Sequence, residues 1–153
     1  KLRSDSRVIN IEKCNFRYFD PSNLDEEIDF MSIDVSFISL KLIFPVAAKL
    51  LKDGGSILCL VKPQFEAGRE QVGKNGIVRD TKVHEEVIEK VISYAQENNL
   101  IAKNLTFSPI TGAKGNIEYL LHLNKQKNIG YNKSYTDNFN VSEVVQISHA
   151  ELV

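Results

Sequence analysis

The stretch DFMSIDVSFISLKLIFPVAAKLLKDGGSILCLVKP, Asp29 to Pro63, decides how the rest of the chain is read. Asp29–Val35 is an apolar run closed by acidic and small residues. Its apolar positions do not alternate cleanly, which suits a strand buried on both faces. Leu40–Leu51 carries apolar residues at 42, 43, 46, 47 and 50, the spacing of an amphipathic helix, although Pro45 predicts a late start or a kink. Gly54 and Gly55 follow where a left-handed C-cap is expected. Ser56–Val61 is a second buried strand, closed by Lys62-Pro63. Strand, helix, strand implies a parallel crossover and an open α/β sheet.

Outward from this unit, Arg7–Ile11 (RVINI) reads as a further strand. Gln64–Asp80 is a long loop with no apolar period, and loops of that length in a compact domain are usually functional or disordered. Asp80 or Thr81 can N-cap a helix running to about Asn99, with Val83, Val87, Val91, Ile92 and Ala95 on its buried face. Ile101–Phe107 and Ile117–Leu123 read as two strands joined by the turn-rich Pro109–Gly115. With no helix between them, they should be an antiparallel pair at the sheet edge. Gln126–Asn140 reads as a polar linker with Ile129, Tyr131, Tyr135 and Phe139 scattered through it. Ser142–Leu152 follows as a short capped helix with Val144, Val145 and Ile147 apolar. Two parts result, an α/β domain over 1–125 and a linker-plus-helix over 126–153.

Composition narrows the function classes. The chain has 153 residues, 42% hydrophobic and 25% charged, with net charge −1. That is an ordinary globular balance without a basic footprint, so this segment offers nucleic acid little net phosphate attraction. Cys14 and Cys59 are too few for a disulfide framework or a cysteine zinc site, and a reduced cytoplasm fits. Cys14 reads as a small buried side chain. The apolar runs Leu42–Ala48 and Ile57–Val61 fall far short of the roughly 20 residues that cross a bilayer. His84, His122 and His149 read as separate surface or helix histidines, and no metal site is expected. The chain starts at Lys1 without Met, and an upstream piece is expected.

Ligands of open α/β sheets bind outside the carboxyl ends of the strands. Asp34 ends one strand and Lys62 ends the next. Glu118 begins the final, reversed strand, which puts it on the same rim. Each has a plain alternative: Asp34 a loop residue, Lys62 a solvated strand end, Glu118 an edge-strand surface residue. Their convergence is what favours an enzyme.

These residues sit inside longer words. IDVSFISL (33–40), LVKPQFEAGRE (60–70), VGKNGIVRD (72–80) and SPITGAKGNIEYLLHL (108–123), with EKCNFRYF (12–19), resemble the TlyA-type haemolysins, which are FtsJ-like rRNA 2′-O-methyltransferases. The resemblance covers about Arg7 to Leu123. It implies a Rossmann-like class I methyltransferase sheet, mostly parallel with an antiparallel final strand, and lacking its first two strands in this chain. It implies S-adenosyl-L-methionine as cofactor and ribosomal RNA or a ribosomal subunit as partner. It also implies a Lys-Asp-Lys-Glu tetrad, whose Asp falls on Asp34, second Lys on Lys62 and Glu on Glu118. The first Lys, the glycine-rich cofactor loop, the acidic ribose ligand and an S4-type RNA-binding domain would all precede Lys1. Asn15 falls where such enzymes contact the adenine, usually with Asp; a turn-forming Asn is the alternative.

On this reading Lys62 is the general base that takes the ribose hydroxyl proton, a role worth typically about 10²–10⁴-fold. A free lysine, with pKa about 10.4, is protonated at neutral pH. A second lysine nearby, with desolvation, would release it as a base. Asp34 would orient the amine beside the methyl sulfonium, and Glu118 would hold and balance the lysine array. Arg69, Lys74 and Arg79 in the long loop would reach RNA phosphates, or else form a solvated charged loop. Phe37 is expected in the core, with packing near the cofactor as the alternative, and Asn116 either positions Glu118 or caps its turn. Without the first two strands this segment by itself is expected to be cofactor-free, and either marginally stable or paired with another chain. Two other classes compete. A catalytically silent RNA-binding module would not bind S-adenosylmethionine, and a membrane-active haemolysin would leak liposomes.

Overall fold

A computed structural model describes residues 1–127 and 138–153. Its centre is a four-stranded sheet of β1 (Ile28–Ile33), β2 (Leu51–Val61), β3 (Leu100–Phe107) and β4 (Tyr119–Lys125), in the order β1-β2-β4-β3. β1 and β2 are parallel, while β4 runs antiparallel to both β2 and β3. The predicted reversal of the last strand is therefore present, with β4 inserted between β2 and β3. The carboxyl ends of β1 and β2 and the start of β4 lie along one rim.

α1 (Leu40–Leu50) begins at Ser39, whose side chain accepts a hydrogen bond from the Lys41 amide, and it continues across Pro45 to Leu50. Pro45 is exposed, while Leu40, Ile43, Phe44, Ala47 and Leu50 are buried. The chain then turns straight into β2, so Gly54 and Gly55 are strand residues and not a helix cap. Lys52–Gly55 form an irregularity between the pairs Ile28↔Leu51 and Phe30↔Ser56, and Gly54 takes φ +81° there. The α1 C-terminus is satisfied instead by Lys125, whose Nζ donates to Ala48 O (2.6 Å) and Leu51 O (2.7 Å). A cation is favoured at that end of the helix dipole.

α3 (Thr81–Gln96) is capped by Asp80 and buries the five expected residues together with His84 and Ile88. α4 (Val141–Leu152) is capped by Asn140 and packs on α3 and β3 through Val141, Val145 and Ser148. Ile147, expected on its apolar face, is 42% exposed. Of the expected linker, Ile129, Tyr131 and Tyr135 lie outside the described residues, and Phe139 packs against the core.

Two further expectations fail for lack of a partner. Arg7–Ile11 forms no strand; Val8, Ile9 and Ile11 are 37%, 82% and 53% exposed, with no ladder to join among the described residues. The strands of the central unit are also covered on one face only. Ile57, Cys59, Val61, Tyr119, Leu121 and Leu123 are fully buried, but Phe30 (58%) and Leu58 (37%) on the other face are open. Apolar residues on both faces of a sheet covered on one explain why the sequence showed no clean alternation.

Candidate functional site

Asp34 follows β1 directly, and Lys62 follows β2 as the residue before α2 (Pro63–Glu66). Because these strands are parallel neighbours, the two side chains meet: Lys62 Nζ lies 2.5 Å from Asp34 Oδ1 and 3.5 Å from Ser36 Oγ. The lysine side chain is 11% exposed and the aspartate 68%. A sheltered amine thus faces an open carboxylate on the rim.

Glu118 is on the same rim, 9% exposed, one residue ahead of β4. It makes no ion pair with Lys62. Its Oε1 accepts a hydrogen bond from Gln64 Nε2 at 3.0 Å, and Gln64 stands two residues past Lys62. The other amide atom, Gln64 Oε1, is buried without a hydrogen-bond partner among the described residues. Buried polar atoms are usually paired, so this carbonyl is available to a donor. Gly112 lies against Glu118: a Cβ there would stand 2.1 Å from Oε1. Asn116 proves to tie turns together. Its side chain accepts from the Val78 amide (3.1 Å) and donates to Gly76 O (2.9 Å) and Ala113 O (3.1 Å).

Phe37 departs most from expectation. It is 89% exposed, with φ +62°, and its ring packs on Phe65 at a centroid distance of 4.8 Å. A left-handed conformation at a bulky non-glycine residue is uncommon and strained, and such positions cluster at functional sites. The sequence did carry a signal. Asp34 and Lys62 end adjacent parallel strands, and each is followed three residues later by phenylalanine. Equal offsets from neighbouring strand ends bring the rings together as they bring the charges together.

A cleft of about 450 Å³ opens beside Asp34 on the β1 side, walled mainly by apolar side chains including Ile11, Phe16, Leu24, Met31 and Val35. Cys14 lines it and is exposed, so it is not the small buried residue expected. Asn15 is exposed, does not line this cleft, and uses its side chain to accept from the Arg17 amide, the turn role of its type. Cys59 is the inert thiol: burial pushes it up to about 12.

The loop 64–80 is built of helical turns at Pro63–Glu66, Arg69–Gln71 and Lys74–Gly76 and is fastened by buried Val78. Arg69, Lys74 and Arg79 are exposed. Among the described residues none of them forms an ion pair, and the structure does not draw them into the Asp34–Lys62 cluster. Two of the histidines do associate. His84 is fully buried, with Nε2 at 2.9 Å from Val78 O and Nδ1 at 2.8 Å from Tyr119 Oη and 3.1 Å from His149 Nε2. Burial lowers the pKa of both rings. The pair fastens α4 to α3 and lies outside the rim. No group of three or more metal-type ligands occurs among the described residues.

Residues 1–125 match the family model of FtsJ-like methyltransferases. Over 124 residues the chain is 56% identical to "Putative rRNA methyltransferase YqxC" of Bacillus subtilis, covering 80% of this chain and 44% of that protein. Over 125 residues it is 37% identical to "16S/23S rRNA (cytidine-2'-O)-methyltransferase TlyA" of Mycobacterium tuberculosis, covering 82% of this chain and 47% of that one. Among solved structures, "Putative hemolysin from Streptococcus thermophilus" superposes with a TM-score of 0.89 at 51% identity, covering 98% of this chain and 53% of that one. The chain thus spans about half the length of the curated relatives it matches.

Proposed function

The chain belongs to the FtsJ-like methyltransferase family, and from that membership we propose that it forms the rim half of the catalytic domain of an S-adenosylmethionine-dependent ribosomal RNA ribose 2′-O-methyltransferase. The observation that carries the reading is the Lys62–Asp34 pair at the sheet rim, set against an apolar cleft. In this reading Lys62 accepts the proton of the attacking ribose hydroxyl, and Asp34 fixes the amine that does so. A base within hydrogen-bond reach of that hydroxyl is what the reaction requires.

S-adenosylmethionine, when bound, supplies the methyl group from a sulfonium. The residues present fit part of it. The cleft has the size and apolar lining usual for a small-molecule site, and Asp34 places an exposed carboxylate at its mouth for a cation. A ribose-holding acid, a glycine-rich loop and the second lysine of the tetrad would come from residues outside this segment. The buried Gln64 carbonyl would be an acceptor for such a lysine. The uncovered face carrying Phe30 and Leu58, and the free edge of β1, would pack against the same portion. That half would include the first two strands of the sheet.

The target base lies beside the reacting ribose, and exposed Phe37, packed on half-buried Phe65, offers it a stacking surface next to Lys62. Arg69, Lys74 and Arg79 would contact the RNA backbone. A ribosomal RNA substrate implies a cytoplasmic enzyme, and no helix among the described residues is long and apolar enough to cross a membrane. The test is transfer of labelled methyl to ribosomal RNA by the full-length protein. Lys62→Ala should lower the rate by about 10²–10⁴-fold while the protein stays folded; wild-type turnover in that variant would refute the role of Lys62.

A further inference from the structure

The catalytic pair sits on two loops that are joined at a point the reaction does not use. The segment Lys62–Glu66 runs alongside Asp34–Leu40, and the contacts between them ascend in step. Lys62 meets Asp34 and Ser36, Phe65 meets Phe37, and Glu66 meets Ser39 and Leu40. Glu66 closes this series with two hydrogen bonds from uncharged donors. Its Oε2 accepts from Ser39 Oγ at 2.7 Å and its Oε1 from the Leu40 amide at 2.8 Å.

We propose that Glu66 is a positioning residue that sets the register between the two loops and so holds Lys62 against Asp34. This rests on the methyltransferase reading given above. Three observations support it. α2 has only four residues, too few to be stable as an isolated helix, so its placement must come from tertiary contacts. α1 already has a local cap, because Ser39 accepts from the Lys41 amide at 3.1 Å; Glu66 is a second, long-range acceptor at that end. Its carboxylate is also sheltered, and burial raises its pKa against the lowering effect of the two bonds. Sheltering a carboxylate is costly unless it is well bonded, and here both bonds reach across the join between the loops.

The effect passes through Lys62, so it should be seen in turnover more than in binding. A misplacement on the order of 1 Å away from the chemistry can cost about 10²-fold. The experiment uses the full-length protein, with kcat and KM for S-adenosylmethionine measured on ribosomal RNA and the melting temperature followed in parallel. Glu66→Ala should lower kcat by about 10- to 100-fold, with KM for S-adenosylmethionine nearly unchanged. Glu66→Gln, which keeps an acceptor for the Leu40 amide, should recover most of the rate. Two results would overturn the proposal. One is Glu66→Ala retaining wild-type kcat. The other is Glu66→Gln being as slow as Glu66→Ala with both melting below the assay temperature, which would make Glu66 a residue of the fold alone. An inactive wild type would instead remove the methyltransferase reading, and this proposal with it.

Discussion

Replacing Gly112 by alanine probes Glu118 without touching it. Gly112 has φ −75° and ψ −166°, an extended conformation open to any residue, so alanine brings no backbone strain. Its Cβ would nevertheless stand 2.1 Å from Glu118 Oε1, 2.6 Å from Cδ and 3.3 Å from Cγ, where ordinary contact begins at 3.4 Å. The carboxylate must retreat by roughly 1 Å, a shift that can cost about 10²-fold in rate when it misplaces a site. The retreat also breaks the bond from Gln64, and hydrogen bonds to charged groups are worth about 1.5–3 kcal/mol. Gly68 supplies the control. A Cβ there would meet Glu70 Oε1 at 2.4 Å, but Glu70 is exposed and its end can swing into water. Gly68→Ala should change stability by no more than about 0.5 kcal/mol. Methyl transfer and denaturant unfolding of both variants make the assay. If Gly112→Ala keeps full kcat, the position of Glu118 does not matter to the reaction and the rim argument loses its third member.

Phe37→Ala should leave the melting temperature unchanged, because the ring is 89% exposed. It should weaken productive RNA binding by about 1–3 kcal/mol, the usual worth of one base stacked on an aromatic ring; equal kcat/KM in variant and wild type would contradict this. The histidine pair predicts a pH effect. His84 and His149 are both held below 6.5 by burial, so the unfolded chain binds more protons in the window just below 6.5. Stability present above that value should be lost as pH falls through it. His84, Asp80, Glu85, Tyr119 and His149 are the titratable groups around the contact, and Glu66, raised by burial, acts in the opposite sense nearer its ordinary value of 4.5. Ring titrations by NMR should give midpoints under 6.5 for both histidines; a midpoint at or above it would refute the assignment.

The strand–helix–strand unit was legible because helical and strand periods differ and because Lys62-Pro63 ends an apolar run sharply. The rim was legible for the same reason: Asp34, Lys62 and Glu118 each stand at a strand end, and topology does the rest. Other features depended on tertiary context. Phe37 is apolar, and apolarity alone reads as core; only the left-handed loop turns it outward. Gly54 and Gly55 suit a helix cap and a strand irregularity equally well, and Lys125, 71 residues after Gly54 in the chain, settles which by capping α1. His84 and His149 meet only because α4 docks on α3. RVINI has strand composition, but a strand needs a neighbour.

The central claim is that this rim serves attack by a ribose hydroxyl. Ribosomal RNA methylated by the full-length protein with labelled S-adenosylmethionine, digested to nucleosides and separated, tests it directly. The account predicts label in a 2′-O-methylnucleoside, incorporated about 10²–10⁴-fold more slowly when Lys62 is alanine. Label on a base, or on no nucleoside at all, would contradict it.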